Sequence, residues 1–599
     1  MEAPLAQQDE SSPDLTSPAV IPANGVPVEA VPDQKHHLPS THQRFLEWMQ
    51  CFCVVTFDLE LGQSLEVVCP SQVVITEQDR TNICYLAFPD SNSGCLGDTQ
   101  FHFRCHLDLA GNAVDRKATL VHYNAHCAPS LQTDSGMCYG YVYFRQVKDK
   151  NVRRGYFQKS VVLISKYPFL NVFREVLRLV ATEFFDNGQK ALEYACKEID
   201  SWSSPKIGVP LSLPLFGRNL CVTIPSLLDG ALPGASYPSN LFTLPSSLNI
   251  PITSIHDLDF TKSFQGFVTH LHVFWELVLC NEPVAVIAPS PTLCSEFVQC
   301  LVWIVWPLKY NADYRPFFTI HDPDFRDYTT KTQAAPRIIL GVTNPFFVKT
   351  LQHWPHIVRV GDSAAAADPK SSPKPKHPQK LTNTVDFKQG LYSEYKSYLS
   401  KDSALVKRLI KGVQAKRPVE AQSSLIKKYF FELTQSFMIP LERYVSTLMP
   451  LLRDIAPFKA PPTLREFDFE EFLSTIEVAG PQLTSGTKGD WEGLYTAFLR
   501  SENFSHWFAM KRMEINGKLK LIHLEALADA DFAIWAGGKS EVELVDVVLK
   551  TASRVQSVRG DGTAVSSEIL SKLRRSIDVL LEKLPSDLRS VLKNSNQIF

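Results

Sequence analysis

The chain has 599 residues, 44% of them hydrophobic and 21% charged, with a formal net charge of −2. This is a globular composition, the length predicts three to four domains of about 100–200 residues each, and the balanced charge argues against a chain built around nucleic acid. The 13 cysteines all precede position 301 with irregular spacing, so free thiols in a reducing compartment are expected. Residues 1–44 are rich in Pro, Ser, Ala and acidic side chains and read as a disordered tail rather than a secretory leader. The longest apolar run, around Val298–Leu308, falls far short of the roughly 20 residues that span a bilayer, so a soluble, cytoplasmic protein is expected.

The first folded block is predicted over 48–202. It opens with two β-rich runs joined at Leu61-Gly62-Gln63 as a hairpin. A short helix follows over Thr76–Phe88, with Thr76 as N-cap and Asp79 as its partner in a capping box. Strands are predicted at Gln100–Leu107, Tyr139–Val147 and Tyr156–Ser165, then helices at Phe169–Phe185 and Gln189–Trp202. The order β-β-α-β-β-β-α-α describes a five-stranded antiparallel sheet with helices on its faces. Residues 203–254 are dense in Pro, Gly, Ser and Leu, too apolar to stay solvated, and read as an ordered crossing segment.

The second block, 255–385, holds the most legible stretch. The strand Val284–Ala288 leads into a helix over Thr292–Trp306 that is apolar nearly all round and is stopped by Pro307. A polar Tyr/Pro segment and a second apolar strand, Arg337–Thr343, follow. Strand, buried helix, strand is the pattern of a βαβ unit in a covered sheet. Residues 361–380, rich in Ala, Pro, Lys and Ser, read as a flexible loop. The rest is helical: a downstream part over 386–515 and an extension over 516–599. Its predicted helices are Val385–Val413, Ala421–Met449 with a kink at Pro440, Glu541–Val555 and Ser566–Leu584.

The chemistry of common enzymes is missing. There is no GxxxxGK[ST] loop, no kinase signature set, no GxSxG and no HExxH. His102, Cys105, His106, His122, His126 and Cys127 are ligand types in two clusters. In an alternating strand His102 and His106 share a face that Cys105 leaves, so sheet-surface histidines are expected rather than zinc. Lys401–Lys428 carries eight Lys/Arg against two acids. It reads as a solvated helix face, with an anionic membrane as the functional alternative. Tyr156-Phe157-Gln158 is half of the Tyr-x-Gln signature of Rab GTPase-activating proteins, but its companion Ile-x-x-Asp-x-x-Arg is absent, and the triplet is taken as chance.

Several segments together carry a resemblance. They are Phe57-Asp58-Leu59-Glu60-Leu61-Gly62-Gln63, Cys84-Tyr85-Leu86-Ala87-Phe88-Pro89-Asp90, Trp275–Leu279 leading to Glu282–Val286, Trp306-Pro307-Leu308-Lys309-Tyr310 with Tyr314-Arg315-Pro316, Ile339-Leu340-Gly341-Val342, and Phe437–Tyr444. As a set, over about Trp48 to the end of the chain, they resemble the DENN module, and within it the DENN domain-containing protein 6 family, which is kin to the fungal polarity-axis-stabilising proteins. The resemblance implies an α/β fold: a longin-like antiparallel half, a central α/β half and a mostly helical C-terminal part. It also implies guanine-nucleotide exchange on a Rab GTPase of the recycling endosome, with Rab fourteen the expected member, peripheral contact with the endosomal membrane surface, and neither metal nor cofactor nor catalytic residue.

In that family the Rab sits between the two halves against the first helix of the longin-like half. The corresponding residues here are Gln78, Asp79, Arg80 and Asn82 on an exposed face, with Ile83 and Leu86 packed inward, and Tyr310 and Tyr314 along the groove. Two other readings stay open: a Rab effector or scaffold that performs no exchange, and a longin-containing coat or tether subunit.

Overall fold

The structure is a computed structural model, and it describes residues 42–58, 62–90, 97–107, 113–150, 155–226, 249–252, 255, 258–361, 388–451, 453, 455–477, 480–481, 487–560 and 566–594. All but residues 42–44 of the expected tail, most of the expected loop at 361–380 and the middle of the crossing segment lie outside the described residues.

The first half runs α1 (Phe45–Trp48), β1 (Cys51–Asp58), β2 (Gly62–Cys69), α2 (Glu77–Leu86), β3 (Gly97–His106), α3 (Ala113–His126), β4 (Met137–Lys148), β5 (Tyr156–Ser165), α4 (Leu170–Asn187) and α5 (Gln189–Asp200). Its five strands form one antiparallel sheet in the order β2-β1-β5-β4-β3. The period-2 alternation sends Cys51, Cys53 and Val55 to the α2 side and Phe52 and Val54 to the α4 side, so both faces are buried. Gly140 on β4 faces the Phe103 ring, and a Cβ there would lie 2.0 Å from a ring carbon, so only glycine lets β3 and β4 pair at this point. The helix α3 was not expected.

The crossing segment is ordered where it is described. It forms β6 (Pro210–Leu215) and β7 (Arg218–Thr223), with β8 (Asn249–Pro251) added in parallel to β7.

The central half runs α6 (Phe260–Phe264), α7 (Leu271–Leu279), β9 (Val284–Ile287), α8 (Pro291–Trp303), β10 (Tyr314–Phe318), α9 (Phe325–Thr329), β11 (Ile339–Val342), α10 (Phe346–Thr350), β12 (His356–Arg359) and β13 (Gly390–Ser393). The sheet order is β10-β11-β9-β12-β13, parallel except for the antiparallel edge strand β13. The expected unit is present: β9, then α8 capped by the Ser290 hydroxyl, then β11 beside β9. The segment expected to be a polar connection is instead β10, a strand buried at every position, which pairs with β11. Its Tyr, Arg and Pro disguise it in sequence, because its polar groups find their partners only in the folded chain: the Tyr314 hydroxyl at Tyr139 of the other half, and Arg315 at Asp313 and Asp324 of its own.

The helical part comprises α11 (Ser403–Gln414), α12 (Val419–Thr447), α13 (Phe469–Ser474), α14 (Trp491–Leu499), α15 (Glu502–Ala528), α16 (Phe532–Trp535), α17 (Glu541–Gly560), α18 (Ser567–Glu582) and α19 (Ser586–Asn594). The expected helix at Val385–Val413 is not one helix. Its described part is β13, an extended stretch and α11. Pairing with β12 claims Gly390–Ser393. The wholly buried Glu276 carboxylate then accepts the backbone N–H groups of Tyr398 and Leu399, both at 2.9 Å, and holds that stretch out of a helix. Asp402 caps the helix that follows. The helix α12 runs on through Pro440. The continuous helix α15 crosses the boundary expected at 515/516.

Two buried histidines predict an acid sensitivity. Burial pushes His102 down to about 3 and His272 down to about 4, from an ordinary value of 6.5. Both are therefore neutral in the fold, and unfolding lets them bind protons. Their contribution is complete above pH 6.5 and is lost as pH falls towards 4 and then 3. Asp322 has the opposite sign: burial raises it to about 6, so the folded carboxyl takes its proton first. Burial also lowers His270, His506 and His523 and raises Asp90 and Glu276, so five histidines stand against three carboxyls and the melting midpoint should fall between pH 7 and about pH 5. Differential scanning fluorimetry across that range measures it, and a midpoint that rises on acidification contradicts it.

Candidate functional site

The expected helix forms as α2. The Asp79 backbone N–H donates to Thr76 Oγ1 at 3.1 Å, so the cap depends on the threonine side chain. Ile83, Cys84 and Leu86 are buried against the sheet, as their spacing requires. Of the four polar candidates, Gln78 and Arg80 are exposed and Asn82 is half-buried. Asp79 is only 5% exposed, so it does not belong to the open face expected of it. At position 79 the helix has already turned towards the sheet, four residues before Ile83.

The end of α2 meets the central half. The Tyr85 ring stacks on His321 with centroids 3.9 Å apart and planes 15° from parallel. Just beyond the helix, Asn344 Nδ2 donates to Asp90 Oδ1 at 3.1 Å. Burial raises the Asp90 carboxyl, opposed by the Asn344 hydrogen bond and by His321. His321 follows β10 and Asn344 follows β11, so the helix stands over the carboxyl ends of parallel strands, where open α/β sheets commonly present their binding loops. Two exposed apolar side chains lie beside these contacts: Ile320 at 36% and Phe346 at 54% exposure. The Phe346 N–H is held by Asn344 Oδ1 at 3.0 Å. Sequence reading missed Tyr85, Ile320, His321 and Phe346 as a group, because no local pattern links a helix end to loops more than two hundred residues away.

Tyr310 and Tyr314 are each only 5% exposed, so they do not form an open groove wall. They line a cavity of about 20 Å³, room for little more than one water. The Tyr314 hydroxyl is 2.5 Å from that of Tyr139 on β4, and the Arg104 guanidinium lies over its ring, 4.3 Å from the centroid. Arg104, on β3, binds Asp313 and the Tyr314 carbonyl of the central half and Asp134 of its own half. Lys309 reaches Asp134 at 2.6 Å, and Arg315 reaches Asp313 and Asp324, each at 2.8 Å. Burial alone would raise the Asp134 carboxyl, but Lys309 and Arg104 outweigh it and hold it below its ordinary value. The tyrosines thus belong to a charged ladder that joins the two halves behind α2. Such an arrangement can position a partner-binding surface, but it presents no nucleophile or general base to solvent.

Comparison with known proteins follows this division of the chain. A family model described as Transport protein Avl9 matches residues 49–194, one described as DENN (AEX-3) domain matches 156–321, and one described as DENND6 C-terminal domain matches 532–595. Protein DENND6A of Mus musculus is 48% identical over 551 residues, covering 92% of this chain and 90% of the relative. Protein DENND6B of Homo sapiens is 47% identical over 551 residues, covering 92% and 93%. The chain belongs to the DENND6 family. A more distant member, Protein DENND6 homolog of Dictyostelium discoideum, is 32% identical over 598 residues, covering 89% of this chain and 80% of the relative.

Membership in the DENND6 family supports a role of the Rab exchange-factor type in trafficking, a function performed by binding rather than by covalent catalysis. The matched segments fit the fold. The first covers most of the antiparallel half, the second joins β5, α4 and α5 to the central half through β10, and the third covers α16–α19. Those last helices pack into a core of their own with the end of α15, through Leu524, Val548, Leu573 and Ile577. The histidine and cysteine clusters stay apart chemically. Cys105 packs in the core under α2, whereas His102 turns to Tyr141 on the other face. No group of three metal-ligating side chains is assembled among the described residues.

Proposed function

We propose that this chain promotes GDP release from a Rab GTPase of the recycling-endosome class, with Rab fourteen the expected substrate. The observation that carries this reading is its DENND6 membership over nine-tenths of its length, combined with a capped, polar-faced helix at the seam of the two halves. An exchange factor binds the mobile switch segments that hold magnesium and nucleotide, and it favours the nucleotide-free form. A thousandfold faster release requires about 4 kcal/mol of such preference. A modest interface with a few aromatic or arginine anchors supplies that. Exposed Gln78 and Arg80, half-buried Asn82 and the apolar pair Ile320 and Phe346 are the proposed contact residues.

The test is release of a fluorescent guanine nucleotide across a panel of Rabs, with this protein substoichiometric. Fast turnover on an endosomal Rab with unchanged GTP hydrolysis is expected. Tighter binding to the GTP-loaded form without release would replace exchange by an effector role.

Recruitment to recycling endosomes from the cytoplasm is part of the same proposal, and α11 supports it. Leu405, Val406 and Leu409 are buried, while Lys407, Arg408 and Lys411 share the exposed face beside half-exposed Ile410. Lys401, Lys416 and Arg417 flank it, also exposed. Each lysine near an anionic bilayer contributes about 1 kcal/mol. Replacing Lys407 and Lys411 by alanine should therefore weaken sedimentation with phosphatidylserine vesicles about thirtyfold while sparing exchange in solution. Equal binding of variant and parent removes this face from the proposal.

A further inference from the structure

Two thiols away from the seam stand against each other. Cys69 ends the edge strand β2, and Cys196 lies on α5, which packs against that strand. Their sulfurs are 3.0 Å apart, within about 1 Å of a disulfide bond length. They are 127 positions apart in sequence, so only the packing of strand and helix brings them together. Cys69 keeps 7% of its surface exposed, and Cys196 none. The hydrogen bond between the two thiols lowers Cys69 against the effect of burial, and that same bond together with burial raises Cys196. Both thiols are buried, but Cys69 is the one nearer solvent and Cys196 lies behind it. This is the division of labour between an attacking and a resolving cysteine. Among the described residues another close pair, Cys51 and Cys53 at 3.7 Å, has no exposure on either residue.

We propose that Cys69 and Cys196 form an oxidisable dithiol whose substrate is hydrogen peroxide. The Cys69 thiolate attacks a peroxide oxygen and the O–O bond breaks. Cys69 becomes a sulfenic acid, and the other oxygen leaves, protonated, as water. The Cys196 sulfur then attacks the Cys69 sulfur. The S–S bond forms, the S–O bond breaks, and the departing hydroxide takes the Cys196 proton as a second water. The two thiols lose two electrons and the peroxide gains them. The bond ties the sheet edge to α5 at the residue from which segment 70–76 leads into α2.

The experiment uses the full chain, reduced, treated with hydrogen peroxide, alkylated and mapped by mass spectrometry. The expected product joins the Cys69 and Cys196 peptides with a loss of about 2 Da, reverses with dithiothreitol, and melts at a higher temperature than the reduced protein. With Cys196→Ser the same treatment should leave a sulfenic acid at Cys69 that dimedone captures. A Cys69 that stays a thiol while other cysteines oxidise overturns the proposal. So does a link from Cys69 to any other cysteine, or a linked protein that melts lower. If Cys196→Ser does not fold, the peptide map of the unsubstituted chain decides alone.

Discussion

Replacing Arg104 by methionine is expected to cost about 3 kcal/mol, the low end of the range for breaking a buried ion pair. The side chain is 5% exposed and its guanidinium serves both halves: Asp134 at 2.8 Å on one, Asp313 and the Tyr314 carbonyl on the other. Methionine fills much of the same volume, so the loss is mainly electrostatic. The low end applies because Lys309 still serves Asp134 and Arg315 still serves Asp313. Arg145→Met is the internal control. It also removes an arginine from this sheet, but one 25% exposed and paired with Asp98, 37% exposed, at the rim. Exposed pairs contribute at most about 1 kcal/mol. Denaturant titration of the two variants should therefore separate them clearly. Equal losses would mean that the ladder between the halves is no more than a solvated pair. The Arg104 variant should also lose exchange activity, because α2 stands on the seam that the ladder holds.

The Arg80→Glu, Asn82→Ala double variant should behave in the opposite way: stability kept, exchange lost. Arg80 makes only long contacts, 3.5 Å to both Glu77 and the Leu65 carbonyl, at the surface. Exposed polar substitutions usually shift stability by about 0.5 kcal/mol or less. A partner hot spot costs about 2 kcal/mol or more, roughly thirtyfold in rate. Thr76→Ala is the complementary control. It removes the hydroxyl that caps α2 and should cost about 1 kcal/mol of stability. Melting temperature and nucleotide release, measured on the same preparations, distinguish the cases. A double variant that exchanges at the parent rate moves the docking surface off α2 and onto Ile320 and Phe346.

How much of this was legible in advance differs sharply between fold and site. Local periodicity was enough to place α2, α4, α5, β9, α8 and β11 within a few residues, because their buried faces repeat with the period of the element itself. The same reasoning put Ile83 and Leu86 inward. The exposed position expected of Asp79 came from the resemblance instead, and it failed because α2 packs close enough to the sheet to bury that residue.

By itself, then, the sequence determined a three-part α/β chain with an antiparallel half, a parallel half and a helical remainder, and it carried the DENN resemblance in short motifs spread along its length. Only the tertiary structure decided that Gly390–Ser393 is an edge strand, that Tyr310 and Tyr314 are interior, and that Cys69 meets Cys196. Propensity and period are summed over neighbours in the chain. Strand pairing at a sheet edge, a ladder linking residues 209 positions apart and two thiols 127 positions apart depend on contacts that exist only once both halves are packed.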